Sequence, residues 1–221
     1  MSYAIVQMSR NEQDRASSAW GAIAEWLGHI FLTPPDTAFT ERLRKPETGT
    51  LLRELGENFG CPQATEAMKI VIGSDENRAV SSKLVQSYTE LFEGVSGPRT
   101  VLLYESAYHG DGHRLFQKPL SEMNATLEQL DMAVIHDCVE PADHLAIELA
   151  ALGHAIRCED TIETAALVAR LAAWTPALSK SLETRDRIGF YAAAAKLLTA
   201  YLQALAEALA ISASGKSAAI H

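Results

Sequence analysis

The segment "AAAAKLLTAYLQALAEALA" near the end of this chain constrains the fold more than any other. Alanine and leucine are strong helix formers, and here apolar residues lie on every side of the turn rather than along one stripe. Such a helix must be surrounded by other elements. The sequence therefore predicts a central helix over 187–210, with further helices packed around it.

Much of the remaining chain also reads as helix. Ala16, Trp20, Ile23, Leu27 and Phe31 recur at three- and four-residue spacing and predict a helix over 14–32, stopped by "TPPD" at 33–36. Shorter helices are predicted over 37–44 and 49–59, the second ended by Gly60 and Pro62. "GSDENRAVSSKLVQSYTELFEG" (73–94) predicts a helix capped by Ser74 or Asp75 and terminated by Gly94. Its apolar stripe holds Val80, Leu84, Tyr88 and Leu91, widened by Val85 and Phe92. Residues 93–114 are glycine-rich and predict a long irregular segment. Helix resumes over 119–137. The next helix carries Pro141 in its first turn and buries Leu145, Leu149, Leu152 and Ile156. Separate helices follow over 161–173 and 176–186, and the tail "SASGKSAAIH" is expected to be loose. "TVLLYES" (100–106) has strand character but is too isolated to build a sheet. No helical-repeat period is present, so the expectation is an all-α protein, a compact helical bundle.

Composition narrows the function classes. Apolar residues make up 48% of the 221 positions, enough for a core, and the formal charge of −9 disfavours a nucleic-acid partner. A cationic peptide or protein segment suits that field better. Cys61, Cys138 and Cys158 are odd in number and form no CxxC, which points to a reducing compartment. The N-terminus has no secretory h-region, and no uninterrupted apolar run is long enough to span a bilayer. A cytoplasmic protein without stable membrane insertion is expected.

Three motifs invite chemistry. "YHGDGH" (108–113) places His109, Asp111 and His113 on a loop where imidazole and carboxylate could hold a metal in a small metalloenzyme; the competing reading is a polar loop turned by glycines. "IHDC" (135–138) runs into "EPADH" (140–144), but adjacency in sequence does not make a Cys–His–Asp centre, and Cys138 reads as a core residue. No hydrolase, zincin or P-loop motif occurs, so no catalytic residue, metal or cofactor is expected. Tyr88 and Phe92 lie at core spacing beside the irregular segment. Tyr104 and Tyr108 flank Glu105 on it, and an aromatic surface with an acid suits an apolar, basic peptide.

Three stretches in this order, "YTELFEGVSGP" (88–98), "YESAY" (104–108) and "EPADHLAIEL" (140–149), resemble the TorD/DmsD/NarJ family of redox-enzyme maturation chaperones. So does "LAAWTPALSKSLETRDRIGFYAAAAKLLTAYL" (171–202), a tryptophan followed by an aromatic pair opening the last long helix. The resemblance implies a cytoplasmic, non-catalytic helical protein that binds the twin-arginine signal peptide, or another segment, of a molybdopterin-containing oxidoreductase precursor. It would hold that client until its cofactor is inserted. The resemblance places Tyr104, Glu105, Ser106 and Tyr108 near the peptide groove, with Tyr88 and Phe92 beside it. It makes Glu140, Pro141, Asp143 and His144 a hinge between an N-terminal part (1–137) and a C-terminal part (138–221), and allows a homodimer by helix exchange. Guanidinium groups would pair with Glu105, Glu140 and Asp143, and His144 with an acid across the hinge. Two positions depart from many members. Arg170 to Ala173 stand where a histidine often precedes the tryptophan, and Leu103 where a proline often precedes "YES". The alternative to a client-peptide chaperone is a non-catalytic helical adaptor that binds a folded partner.

Overall fold

The computed structural model describes residues 10–94, 100–109, 118–134 and 140–218, with the helical backbone alone described for 10–18 and 213–218. Among the described residues lie α1 (Arg10–Leu32), α2 (Thr37–Leu43), α3 (Pro46–Asn58), α4 (Pro62–Gly73), α5 (Asn77–Tyr88), α6 (Lys118–Gln129), α7 (Leu145–Arg157), α8 (Thr161–Arg185) and α9 (Phe190–Ala218). No strand occurs among them, so the all-α expectation holds. "TVLLYES" contributes one isolated antiparallel bridge, Tyr104 to His144, instead of a sheet.

α9 is the helix that the alanine–leucine run predicts, although it continues through Ala218 where a loose tail was expected. Phe190–Ser212 is long and apolar enough to cross a membrane by length and composition. Here it packs along α8 and α4 and buries Phe190, Tyr191, Leu197, Leu198 and Tyr201. Its phenols reach neighbouring backbone: Tyr191 donates to the Leu84 carbonyl at 3.0 Å and Tyr201 to the Trp20 carbonyl at 2.9 Å. The other extensive pair is α1 against α7. Small residues let these helices approach closely: a Cβ on Gly21 would stand 3.0 Å from the Gly153 carbonyl oxygen, and one on Gly28 3.3 Å from that of Ala146.

Three expectations are corrected, each at a proline. Pro62 opens a helix instead of only ending one. α3 closes in a Schellman motif, Cys61 N–H to Gly56 O at 2.8 Å and Gly60 N–H to Glu57 O at 3.3 Å, with Gly60 at φ +68°. Pro62 then takes the first position of α4, where its missing N–H is no loss. α4 occupies residues up to Gly73, so α5 starts only at Asn77, and Asp75 pairs with Lys83 instead of capping. Pro176 does not divide 161–186, because α8 runs through it. Ala172, whose carbonyl loses its partner, is exposed and open to water. Pro141 lies before α7 rather than in its first turn, and His144 is the N-cap. Beyond α5, Thr89–Glu93 form a π-helical turn, and α6 stops at Gln129 instead of continuing to 137.

Candidate functional site

The turn carrying "YESAY" is pinned to the start of α7. Leu145 N–H donates to the Leu103 carbonyl at 2.8 Å and Glu105 N–H to the Asp143 carbonyl at 2.9 Å. The chain then makes one 3₁₀ turn over Glu105–Ala107, and Ser106 N–H reaches the Asp143 carboxylate at 3.2 Å. Val101, Leu103 and Ala107 face the core, and this alternation turns Tyr104 toward the edge of the molecule. His144 accepts the Ala146 amide on Nδ1 at 3.2 Å and so caps α7 with its own ring. Burial, against the pull of Glu140 and Asp143, lowers its pKa and favours the neutral ring that such a cap requires.

The expected site residues separate by burial. Phe92, Tyr104, Tyr108, Glu140 and Pro141 are half-buried. Tyr104 donates its hydroxyl to Glu140 Oε2 at 2.8 Å and sets its ring edge-on to His144, with centroids 5.3 Å apart. Burial first, then Glu140, raises the Tyr104 pKa, so the phenol keeps its proton. Burial first, then Glu93 and Glu140, raises the pKa of Tyr88. Tyr88 itself is buried, donating to the Phe31 carbonyl at 3.2 Å and packed edge-to-face on Phe92 and Tyr191 at 5.0 and 5.9 Å. Glu105, Ser106, Asp143 and His144 are also buried.

Beneath the turn lies a cluster that motif reading missed. Arg170 of α8 pairs with Glu105, donates to the Pro119 carbonyl at 2.7 Å, and stands 3.7 Å from Glu148 of α7 and 3.9 Å from Glu122 of α6. Trp174 N–H donates to Glu148 Oε2 at 3.1 Å, and its indole stacks on Tyr108 at 5.2 Å. Glu148 is fully buried; burial first, then Glu105, raises its pKa well above the usual carboxylate value. One signal was available. Glu148 sits on the same helical stripe as Leu145, Leu149 and Leu152, a carboxyl on a face otherwise apolar.

His109 is exposed, its Nε2 3.2 Å from Glu105 Oε1. Asp111, His113 and Cys138 lie outside the described residues. Among those described, no group of three potential metal ligands forms.

The turn–helix junction thus sets the Tyr104–Glu140 pair over a buried polar support. The family model described as nitrate reductase delta subunit matches residues 46–186. The chain is similar to the chaperone protein TorD of Photobacterium profundum, 30% identical over 207 residues that cover 87% of this chain and 92% of the relative. It is similar to TorD of Aliivibrio fischeri, 30% identical over 206 residues (87% and 93%), and to TorD of Vibrio parahaemolyticus, 26% identical over 202 residues (86% and 91%). These matches define the class, a non-enzymatic chaperone for redox-enzyme maturation. The chain belongs to the nitrate reductase delta subunit family, which takes in the TorD and NarJ chaperones.

Proposed function

We propose that this protein is a cytoplasmic chaperone that binds the twin-arginine signal peptide, or another segment, of a molybdopterin-containing oxidoreductase precursor and holds it until the cofactor is inserted. The observation that carries this reading is the half-buried pair in which Tyr104 holds the Glu140 carboxylate, next to Pro141 in the chain. A twin-arginine segment presents guanidinium groups followed by an apolar stretch. Carboxylates accept the former through charge-assisted forks, and aromatic faces cover the latter. In this reading Phe92, Tyr104, Tyr108, Glu140 and Pro141 touch the client. Tyr88, Glu105, Ser106, Asp143 and His144 hold those residues in place, and 138–144 is the hinge. The chain's charge of −9 speeds the encounter.

Calorimetric titration with twin-arginine signal peptides from molybdoenzymes is the test, with peptides carrying alanine for both arginines as controls. Binding with a Kd of about 1 μM or tighter that the control loses supports the reading. Binding that ignores the arginines, or none across a panel of clients, overturns it and favours an adaptor for a folded partner.

A further inference from the structure

Two carboxyl groups from different parts of the chain converge on one guanidinium. Glu105 reaches Arg170 from the turn, and Glu148 faces it from the middle of α7. All three side chains are largely withdrawn from water, with Arg170 15% exposed, Glu105 6% and Glu148 0%. Among the described residues, the other charged or titratable groups around them are few. His109 meets Glu105 on its outer oxygen, Glu122 approaches Arg170 at 3.9 Å but is paired with Lys118 at 2.7 Å, and Tyr108 lies behind Trp174. Among the described residues one cation thus serves two inward carboxyls, and two like charges so placed in a dry interior cannot both persist at low cost.

The unsatisfied atoms point the same way. Glu148 Oε1 is buried without a hydrogen-bond donor although it faces Arg170, whereas Glu105 Oε2 is taken up in the ion pair with the guanidinium. Arg170 Nε, 3.7 Å from Glu148 Oε1, makes no hydrogen bond either. An ionised Glu148 would draw that N–H to bonding distance. A protonated Glu148 has no such pull, and its O–H can donate to Glu105, which lies within hydrogen-bonding reach.

We infer that one proton, held by Glu148 and donated to Glu105, latches the 104–109 turn onto α7 and α8, and that losing it releases the turn and opens the edge formed by Tyr104 and Glu140. In the opening step the Glu148 O–H bond breaks, the proton passes to buffer, and a second carboxylate faces the one guanidinium. The turn yields rather than the helix. Glu148 is fixed within α7, which is packed between α1 and α8, whereas the turn is joined to α7 by few hydrogen bonds. His109 offers Glu105 an alternative partner on the exposed side. Because the folded-state pKa of Glu148 is raised, the latch is intact at low pH and is lost as pH rises through that value.

Only the consequence for client binding rests on the function proposed above, so the test reads the turn directly. Hydrogen exchange of the Glu105, Ser106 and Leu145 amides is followed from acidic to alkaline pH, starting at the usual carboxylate range and corrected for intrinsic base catalysis. Wild-type protection at these amides is expected to fall by about tenfold or more as pH rises, while amides within α9 hold theirs. Glu148→Gln keeps the donor to Glu105 without a removable proton, and Glu105→Gln leaves one carboxyl for one guanidinium. Both should stay flat over that range, and His109→Asn should keep the transition. Flat wild-type protection, the same fall in either variant, or loss of the transition in His109→Asn overturns the latch. If Glu148→Gln does not fold, Glu105→Gln decides alone. A turn that opens as expected while no twin-arginine peptide binds at any pH counts against the client reading and leaves the latch standing.

Discussion

Tyr104 and Glu140, 36 residues apart in sequence, meet through a 2.8 Å hydrogen bond that places a carboxylate at the edge of the molecule beside an aromatic ring. The phenol is a neutral donor, so it orients the carboxylate without cancelling its charge. Glu140→Gln should therefore weaken binding of a twin-arginine peptide by about tenfold, roughly the worth of one charge-assisted hydrogen bond. Its effect on folding should stay within about 0.5 kcal/mol, as for other substitutions near the surface. Tyr104→Phe frees the carboxylate to rotate and should cost less affinity than Glu140→Gln. Titration calorimetry and thermal denaturation of the same preparations read the two effects separately. Equal loss of stability and affinity in Glu140→Gln would return this edge to a structural role.

His144 and Asp143 carry a different expectation. His144 caps α7 and Asp143 receives the Ser106 amide, so both hold the turn–helix junction together. His144→Ala should cost about 1 kcal/mol of stability, the usual worth of an N-cap, whereas His144→Asn restores an acceptor and should recover most of it. The pH dependence follows from burial. A histidine whose folded pKa is lowered contributes stability that is present above its unfolded value of about 6.5 and is lost as pH falls through the folded one. Denaturant midpoints measured across acidic pH should fall in wild type and show a shallower fall in His144→Asn.

The helices were legible wherever periodicity was enough, as in the stripe of α1 and the alanine–leucine run of α9. The prolines were not, because their effect depends on what the neighbouring backbone can reach. Pro62 follows a finished Schellman motif and starts a helix, and Pro176 interrupts only carbonyls that water can serve. In the candidate site, "YESAY" and "EPADH" marked the junction, and the structure brings them together through the Tyr104–His144 bridge. Local sequence carried no hint that Glu105 and Ser106 are buried, since that depends on where α7 and α8 pass. Arg170 was invisible for the same reason. Its partners lie on the 105–107 turn, α6 and α7, and an arginine between Ala169 and Leu171 carries no motif.

Two helices end on residues that tolerate their conformation poorly. Asp131 after α6 and Glu159 after α7 take φ of 54° and 56°, the left-handed position of Schellman motifs closed by Met132 to Leu127 at 2.8 Å and Asp160 to Ala155 at 3.0 Å. Glycine meets no Cβ penalty there. Glu159→Gly should raise stability by about 0.5–1 kcal/mol, and Asp131→Gly by a similar or smaller amount because aspartate visits this region more readily. Urea unfolding with a higher midpoint and an unchanged slope would confirm the gain in stability. A lower midpoint in Glu159→Gly would mean that its side chain makes a contact worth more than the strain.

The crossing of α1 and α7 predicts an outcome at Gly153 opposite to that of the same substitution at Gly49. In the middle of a helix, Gly→Ala gains about 1 kcal/mol from propensity alone. At Gly49 in α3 a new Cβ meets nothing within 4 Å, so Gly49→Ala should show most of that gain. At Gly153 the same carbon would stand 3.0 Å from the Gly21 carbonyl oxygen and 3.1 Å from Glu25 Cγ. The Glu25 side chain can shift, although doing so disturbs its 2.6 Å pair with Arg157; the Gly21 carbonyl is backbone inside α1 and cannot. α1 and α7 would have to separate along much of their shared length, and overpacking of that kind costs about 1–3 kcal/mol. Gly153→Ala should therefore be net destabilising by about 1 kcal/mol, while Gly49→Ala raises the thermal midpoint. If Gly153→Ala proved as stable as wild type, α1 could move away from α7 at little cost, and their close approach at Gly21 and Gly153 would not be what holds them together.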